Sequence, residues 1–360
     1  MKKKMILGLF LLTVVMFSAH SQQYDNESDF EFRFVGRGNA SVEIIGYNGS
    51  NTTVRIPQRI QNRPVIGIIL TDYESVSASA FSNRGLVRVF LPEGLNYIGK
   101  FAFAGNQLTN IDIPNSVVVI EEGAFSNNRL TRINIPSSVG VMFNYQDTIN
   151  GTSNRRRYAN PFPVNPSLEF ISVDPANRSF VSIDGVLFSS NKEILYAYPS
   201  AKGDAYTIPS GVIEIASMAF SGSQIERISL PNGLLIIGES AFGRANLTSI
   251  TIPNSVNEIG SHAFSENGLT NITISTSIRS IEMWTFAINQ LTSVIIPNNV
   301  TSIDSYAFCY NQLTSITIGA NVSLGGRYGA SFDNDFDDFY NRNGKRAGTY
   351  TYSRGSWSRR

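Results

Sequence analysis

The sequence predicts a mainly β repeat solenoid of the leucine-rich-repeat kind: right-handed coils in a stack, each with one short parallel strand. Three observations predict it. Phenylalanine returns every 22 residues in two runs, Phe81, Phe103, Phe125 and then Phe220, Phe242, Phe264, Phe286, Phe308. Five residues after each comes Leu86, Leu108, Leu130, Ile225, Leu247, Leu269, Leu291 or Leu313. Apolar pairs then follow at eight and ten residues, as in Ile111/Ile113, Ile133/Ile135, Ile250/Ile252 and Ile316/Ile318. A period of 22 is too short for helix-pair repeats or propeller blades and lies within the roughly 20–29 residues of leucine-rich repeats.

Each part of the unit has a physical reading. Alternation in the apolar pairs turns them to one face and the residues between them to the other. Proline usually follows at once (Pro92, Pro114, Pro136, Pro231, Pro253, Pro297), and with no N–H to donate it ends the ladder. The run Val117-x-x-Ile120-x-x-x-Ala124-Phe125 has helical spacing, which predicts a short helical turn on the outer face. Between the two runs the phase is recovered from Leu168-x-x-Ile171-x-Val173 and Tyr206-x-Ile208-Pro209, which imply anchors at 163 and 198. Val54-Arg55-Ile56-Pro57 implies another, 35 residues before Phe81. Eleven coils result, and at a strand spacing of ~4.8 Å they make a stack of roughly 50 Å. No coil buries much alone; neighbours cover one another's Phe, Leu and Ile.

Along the chain, Lys2, Lys3 and Lys4 precede an apolar run from Met5 to Phe17, and Ala19-His20-Ser21 offers small residues at a cleavage site. That pattern predicts a secretory signal peptide over 1–21, since the run is shorter than the ~20 residues of a spanning helix. A capping coil is expected over 22–80 and the first repeat block over 81–142. An insertion loop at 143–166, with Arg155, Arg156 and Arg157, interrupts the pattern, and an irregular coil with a β-hairpin covers 167–205. The second block runs over 206–320, and 321–360 forms a C-terminal cap in which Tyr350 and Tyr352 alternate at strand period. An open stack needs such a cap, because its last coil and strand edge are otherwise exposed.

Two columns of the repeat read as scaffold. The phenylalanines form a packing spine. Asn106, Asn128, Asn267, Asn289 and Asn311 recur three residues later, where an amide can satisfy turn groups with both its donors and its acceptor.

The repeated AF-x-x-N-x-L-T-x-I-x-I-P-x-x-V-x-x-I resembles the bacterial surface leucine-rich repeats of the BspA type. The entry segment Ile45-Gly46-Tyr47-Asn48-Gly49 with Val54–Pro57 and Pro64-Val65, and the hairpin Ser182–Phe188 with Leu195–Pro199, resemble that family's opening and hairpin coils. The resemblance spans about residues 30 to 320; Ser275 and Gly319 depart from it by replacing the usual proline. It implies an exported, surface-displayed adhesin-like module that binds host extracellular or bacterial surface proteins, and it brings no fixed catalytic site. Secretion and a periplasmic home are also compatible with the leader. A non-adhesive scaffold of the envelope is the competing reading.

Catalytic chemistry finds little support. His20 leaves with the leader, so His262 is the one histidine remaining, and Cys309 is the one cysteine. A Ser-His-Asp or Cys-His arrangement would have to use His262. It occupies a position that elsewhere holds Ser79, Phe101, Gly123, Met218, Ser240, Trp284 or Tyr306, which reads as surface or edge packing. Cys309, next to Phe308, reads as a small packed residue, and a zinc site would lack ligands. The acidic run Asp333-Asn334-Asp335-Phe336-Asp337-Asp338 lacks the Gly at position 6 and the Glu at position 12 of a calcium loop and reads as a solvated cap loop. No enzyme activity, metal or cofactor is expected. A formal charge of +1, which turns slightly negative once the leader lysines are removed, excludes a general nucleic-acid binder.

Recognition is therefore expected on the outward strand positions, seven and nine residues after each phenylalanine. The first block reads Arg88/Phe90, Asn110/Asp112 and Arg132/Asn134, and the second opens with Arg227 before becoming a Ser/Thr ribbon. Arginine and aromatic side chains are common interface anchors, so these residues and Arg155, Arg156 and Arg157 form the candidate surface for a protein partner.

Overall fold

A computed structural model describes residues 24–69, 79–144 and 157–360. The predicted leader, 1–21, and most of the insertion, including Arg155 and Arg156, lie outside the described residues. The chain is a mainly β solenoid of about 12 turns. Every anchor phenylalanine is fully buried, and Tyr47, Phe162, Tyr198 and Phe332 extend the two ring columns. The first two sit one residue from the positions the sequence implied. From Tyr47 to Phe162, and again from Tyr198 to Phe332, successive rings stack 4.9–5.8 Å apart. That spacing is set by the strand separation of ~4.8 Å, since each ring rides on its own coil.

The outward-facing strands pair in parallel and in register, for instance Arg132–Ile135 with Phe170–Val173 and Ser293–Ile295 with Ser315–Ile318. Each coil also carries a second strand, which the helical spacing had concealed. Tyr97–Ile98 pairs with Val119–Glu121, and Glu214–Ile215 with Ile236–Ile237 and then Glu258–Ile259. The two strands are joined by a tight turn that starts at the proline, whose carbonyl accepts the N–H three residues on, as at Leu95, Val117 and Val256. The outer return is likewise a pair of such turns rather than a helix: Ala102 N–H bonds Gly99, and Ala104 N–H bonds Phe101. In the regular coils they hold residues two before and two after the ring in the left-handed region, as at Phe101, Met218, His262, Arg244 and Ile288.

The asparagine column tightens this stack. In Asn289, Nδ2 donates to the carbonyls of Phe264, Phe286 and Ala287 at 3.0–3.1 Å, and Oδ1 accepts the Leu269 N–H at 3.1 Å. Asn106, Asn128, Asn267 and Asn311 repeat the pattern. Asn165, hidden from the sequence pattern by the irregular spacing, does the same beside Phe162.

The hairpin of Phe180–Ile183 and Val186–Ser189 turns at Asp184 and Gly185, both at positive φ, as a tight primed turn requires. Ile194–Ala197 continues it antiparallel and passes into the parallel stack. Val186, Phe188 and Leu195 pack into the second of two core clusters, whereas Leu187 and Tyr196 pack into the first. Both faces of this sheet are therefore buried, and it partitions the core.

At the N-terminus, Phe30–Val35 and Ser41–Tyr47 form an antiparallel hairpin that enters the stack beside Arg63–Ile68. At the C-terminus, Gly348–Ser353 pairs antiparallel with Ser315–Ile318 and is covered in turn by Ser356–Arg359. Phe336 meets Phe332 edge-on at 5.0 Å and 72°, ending the face-to-face column. The acidic run is not a solvated loop. It enters the helix Phe336–Arg342, where Asp337 is buried and accepts the N–H groups of Ser331 and Phe332 at 2.7 and 3.1 Å. Asp333 accepts the Tyr310 N–H at 2.6 Å.

Asn289→Ala leaves a buried N–H and three interior carbonyls without that partner, and is expected to destabilise by about 2–4 kcal/mol in urea unfolding. Glu121 is buried, with Oε2 accepting the Lys100 N–H at 2.8 Å. Burial holds its pKa above the usual carboxylate value, so the folded state binds the proton more readily than the unfolded chain. Stability is thus lost as pH rises through that raised value. Glu121→Gln is expected to raise Tm at pH 7 and to have little effect near pH 4, measured by thermal melts across pH.

Candidate binding surface

The strand face carries the candidate residues on one side of the stack. Period-2 geometry buries Val89, Ile111 and Ile133 and turns Arg88, Asn110, Asp112, Arg132 and Asn134 outward, all exposed, with Phe90 half-buried. Arg88, Phe90, Asn110 and Asp112 line one shallow cleft of about 120 Å³ between neighbouring coils. The Arg88 guanidinium lies 5.2 Å from the Phe90 ring centre, and that of Arg55, in the preceding coil, lies 3.7 Å from it. Two coils on from this cleft, Arg132 lies 6.0 Å from the ring of Phe170, which is 38% exposed. Such cation–π contacts hold the guanidinium groups against the rings, and Arg88 and Arg132 are exposed on the outer face.

Sequence reasoning missed Arg55 and Phe170 because both belong to coils of irregular length. The signal was present in the alternation Thr53-Val54-Arg55 and Phe170-Ile171-Ser172. Asn134 accepts the Ser172 hydroxyl at 2.9 Å, which links the two coils. Arg227 is set apart from this group. It bonds Asp204 at 3.0 Å and approaches Glu226 at 3.6 Å, so its charge is matched within the chain. The backbone of Arg157 pairs with Asn144 in a short antiparallel ribbon at the base of the insertion.

The residues weighed for chemistry are placed as scaffold or edge. His262 stacks on Trp284 at 6.0 Å, and burial lowers its pKa below the usual imidazole value. Cys309 is 5% exposed, and burial, with Asp333 nearby, pushes its thiol up to about 12. Among the described residues no group of three or more His, Cys, Asp or Glu is arranged to hold a metal ion, and no helix is long and apolar enough to cross a membrane.

The model of the BspA-type leucine-rich repeat region matches this chain in six copies, over residues 67–146 and 207–332. Among solved structures, a leucine-rich repeat protein from Eubacterium ventriosum is 20% identical, with 79% of this chain and 93% of that one covered and a TM-score of 0.52. The pneumococcal vaccine antigen PcpA is 22% identical, with coverage of 83% and 82% and a TM-score of 0.48. A leucine-rich cell surface protein from Faecalibacterium prausnitzii is 24% identical, with coverage of 81% and 88% and a TM-score of 0.43. No curated protein matches the chain.

A thiol held at so high a pKa has almost no thiolate at neutral pH. Cys309 is therefore expected to resist a thiol-titrating disulfide reagent at pH 8 in the folded protein and to react fully in guanidinium; rapid reaction in the folded state would contradict its placement.

Proposed function

The chain belongs to the BspA-type leucine-rich repeat family, and from that premise we propose that it is an exported protein-recognition module displayed at the bacterial surface. Its partner is a host extracellular protein or a surface protein of another bacterium. The reading is non-enzymatic: the solenoid presents side chains and performs no reaction. The observation that carries it is the arginine–aromatic set on the strand face, Arg55 and Arg88 against Phe90 and Arg132 beside Phe170. Guanidinium groups pre-positioned beside aromatic rings suit acidic and main-chain acceptors on a protein surface. Aromatic rings add contact area at small cost in side-chain entropy. The Lys2–Lys4 start and the apolar run to Phe17 support export.

The strand face also separates recognition from scaffold. Arg88, Asn110, Asp112 and Arg132 can change without touching the buried columns, so binding specificity varies independently of folding. The arginines of the insertion, Arg155, Arg156 and Arg157, are included as partner contacts in the same proposal.

The test is capture by the purified protein from panels of host-matrix and bacterial surface proteins, followed by titration of the captured partner. Replacing Arg88, Phe90 and Arg132 together by Ala is expected to weaken binding at least tenfold, about 1.4 kcal/mol or more, with Tm nearly unchanged. Unaltered affinity would remove the strand face from the reading. Reversing the charge of Arg155, Arg156 and Arg157 is expected to weaken binding as well, and no change there confines the surface to the strands.

A further inference from the structure

A groove of about 360 Å³ runs along the turn side of the solenoid, remote from the arginine–aromatic face. Its walls are the two left-handed positions that flank each buried ring, and its floor is the residue just after that ring. On the floor the sequence is always small, with Ser126, Pro163, Ser221, Gly243 and Ser265 in successive turns. Toward the C-terminus the groove is closed by aromatics. Trp284 from one wall stacks on Tyr306 at 4.7 Å and on Tyr310, from the opposite wall, at 5.8 Å and 6°. His262 is the next ring of that column, 6.0 Å from Trp284. Beyond it the wall falls to Ser240, so the imidazole side facing Ser240 lines the open part. At the far end Phe101 lies over Gly123, its Cε1 only 2.2 Å from where a Cβ at residue 123 would stand.

The chemistry of this groove narrows its ligand. The floor's main chain is fully used. The N–H groups of Ser126, Ser221, Gly243 and Ser265 bond within their own turns, and the carbonyls of all five floor residues accept N–H groups from the preceding turn. An extended peptide therefore finds no strand partner here. Arg244 is matched by Glu266 at 3.0 Å, so the groove offers no net positive charge for phosphate. The ligating groups are serine hydroxyls, an amide at Asn127, an imidazole whose lowered pKa keeps it neutral, and an ion pair with unused lone pairs and N–H groups. Beside them lie the apolar surfaces of Phe101, Met218 and Val164. Planar polar groups that can donate and accept toward neighbouring hydroxyls, set next to apolar surface that can cover C–H faces, are complementary to a neutral saccharide. The volume lies within the roughly 300–1,000 Å³ of small-ligand sites.

We propose that this groove binds a short, neutral saccharide, with Arg244, Glu266 and His262 at its polar end and Phe101 and Met218 at its apolar end. The ligand is held and not cleaved.

A purified full-length chain is applied to an array of neutral glycans, and binding is titrated by calorimetry with the hits and with chitotriose, maltotriose, cellotriose and lactose. Trp284, behind His262, gives an independent fluorescence signal. Saturable binding of at least one neutral glycan is expected. Ser240→Trp installs at one turn the residue type already accommodated at the equivalent, equally left-handed position of Trp284. It fills the open wall and is expected to weaken binding at least tenfold, while Phe90→Ala on the strand face leaves it unchanged. Arg244→Ala, on an exposed side chain, serves as the second variant should Ser240→Trp lower Tm, and is also expected to lose at least tenfold. Absence of any neutral-glycan binding overturns the proposal. So does binding that survives both variants, or capture of acidic glycans or peptides alone.

Discussion

The structure depends on one constraint: hydrogen bonding between parallel strands fixes the rise from coil to coil, and every other column must match it. A rise of ~4.8 Å suits flat rings that stack face to face and amides that reach one coil back. Phe81, Phe103 and Phe125 meet the first condition at 5.0 and 5.4 Å, and Asn106 and Asn128 meet the second. The price of this economy is local strain, since the turns that bring the columns together hold residues such as Val164 and Ile288 at positive φ.

The irregular centre solves a problem that uniform repetition does not meet. The face-to-face column from Tyr47 ends at Phe162 and a second begins at Tyr198, with the core divided in two between them. A sheet in that position must be apolar on both sides, and Val186-Leu187-Phe188 supplies side chains to each cluster in turn. The turn side nevertheless stays continuous, because Val164 N–H bonds Ser221 directly across the junction. The groove crosses this junction without interruption.

Much of this was legible because the repeat states it many times. Spacing alone placed the Phe and Asn columns and the outward residues Arg88, Asn110 and Arg132. What was not legible depends on contacts between coils that differ. Phe162 was placed one residue away because Leu168 follows it at six residues instead of five. The second strand was concealed because one strand residue and a tight turn reproduce helical spacing. Burial of Asp337 follows from N–H groups in Ser331 and Phe332 that only the cap fold brings to it. On the strand face, Phe90 was evident but its sandwich with Arg55 was not, since the two lie 35 residues apart.

The asparagine column also gives the molecule an arrow. Asn106 completes the turn of Phe81, Asn128 that of Phe103, and Asn311 that of Phe286; in each case the later coil satisfies the earlier one. Each coil is thus sealed by the one that follows it in the chain. The N–H of the last turn needs a seal of a different kind, and the carboxylate of Asp333 supplies it by accepting the Tyr310 N–H. Shortening such a chain from its end exposes an unfinished coil, whereas shortening it from its beginning removes only completed ones.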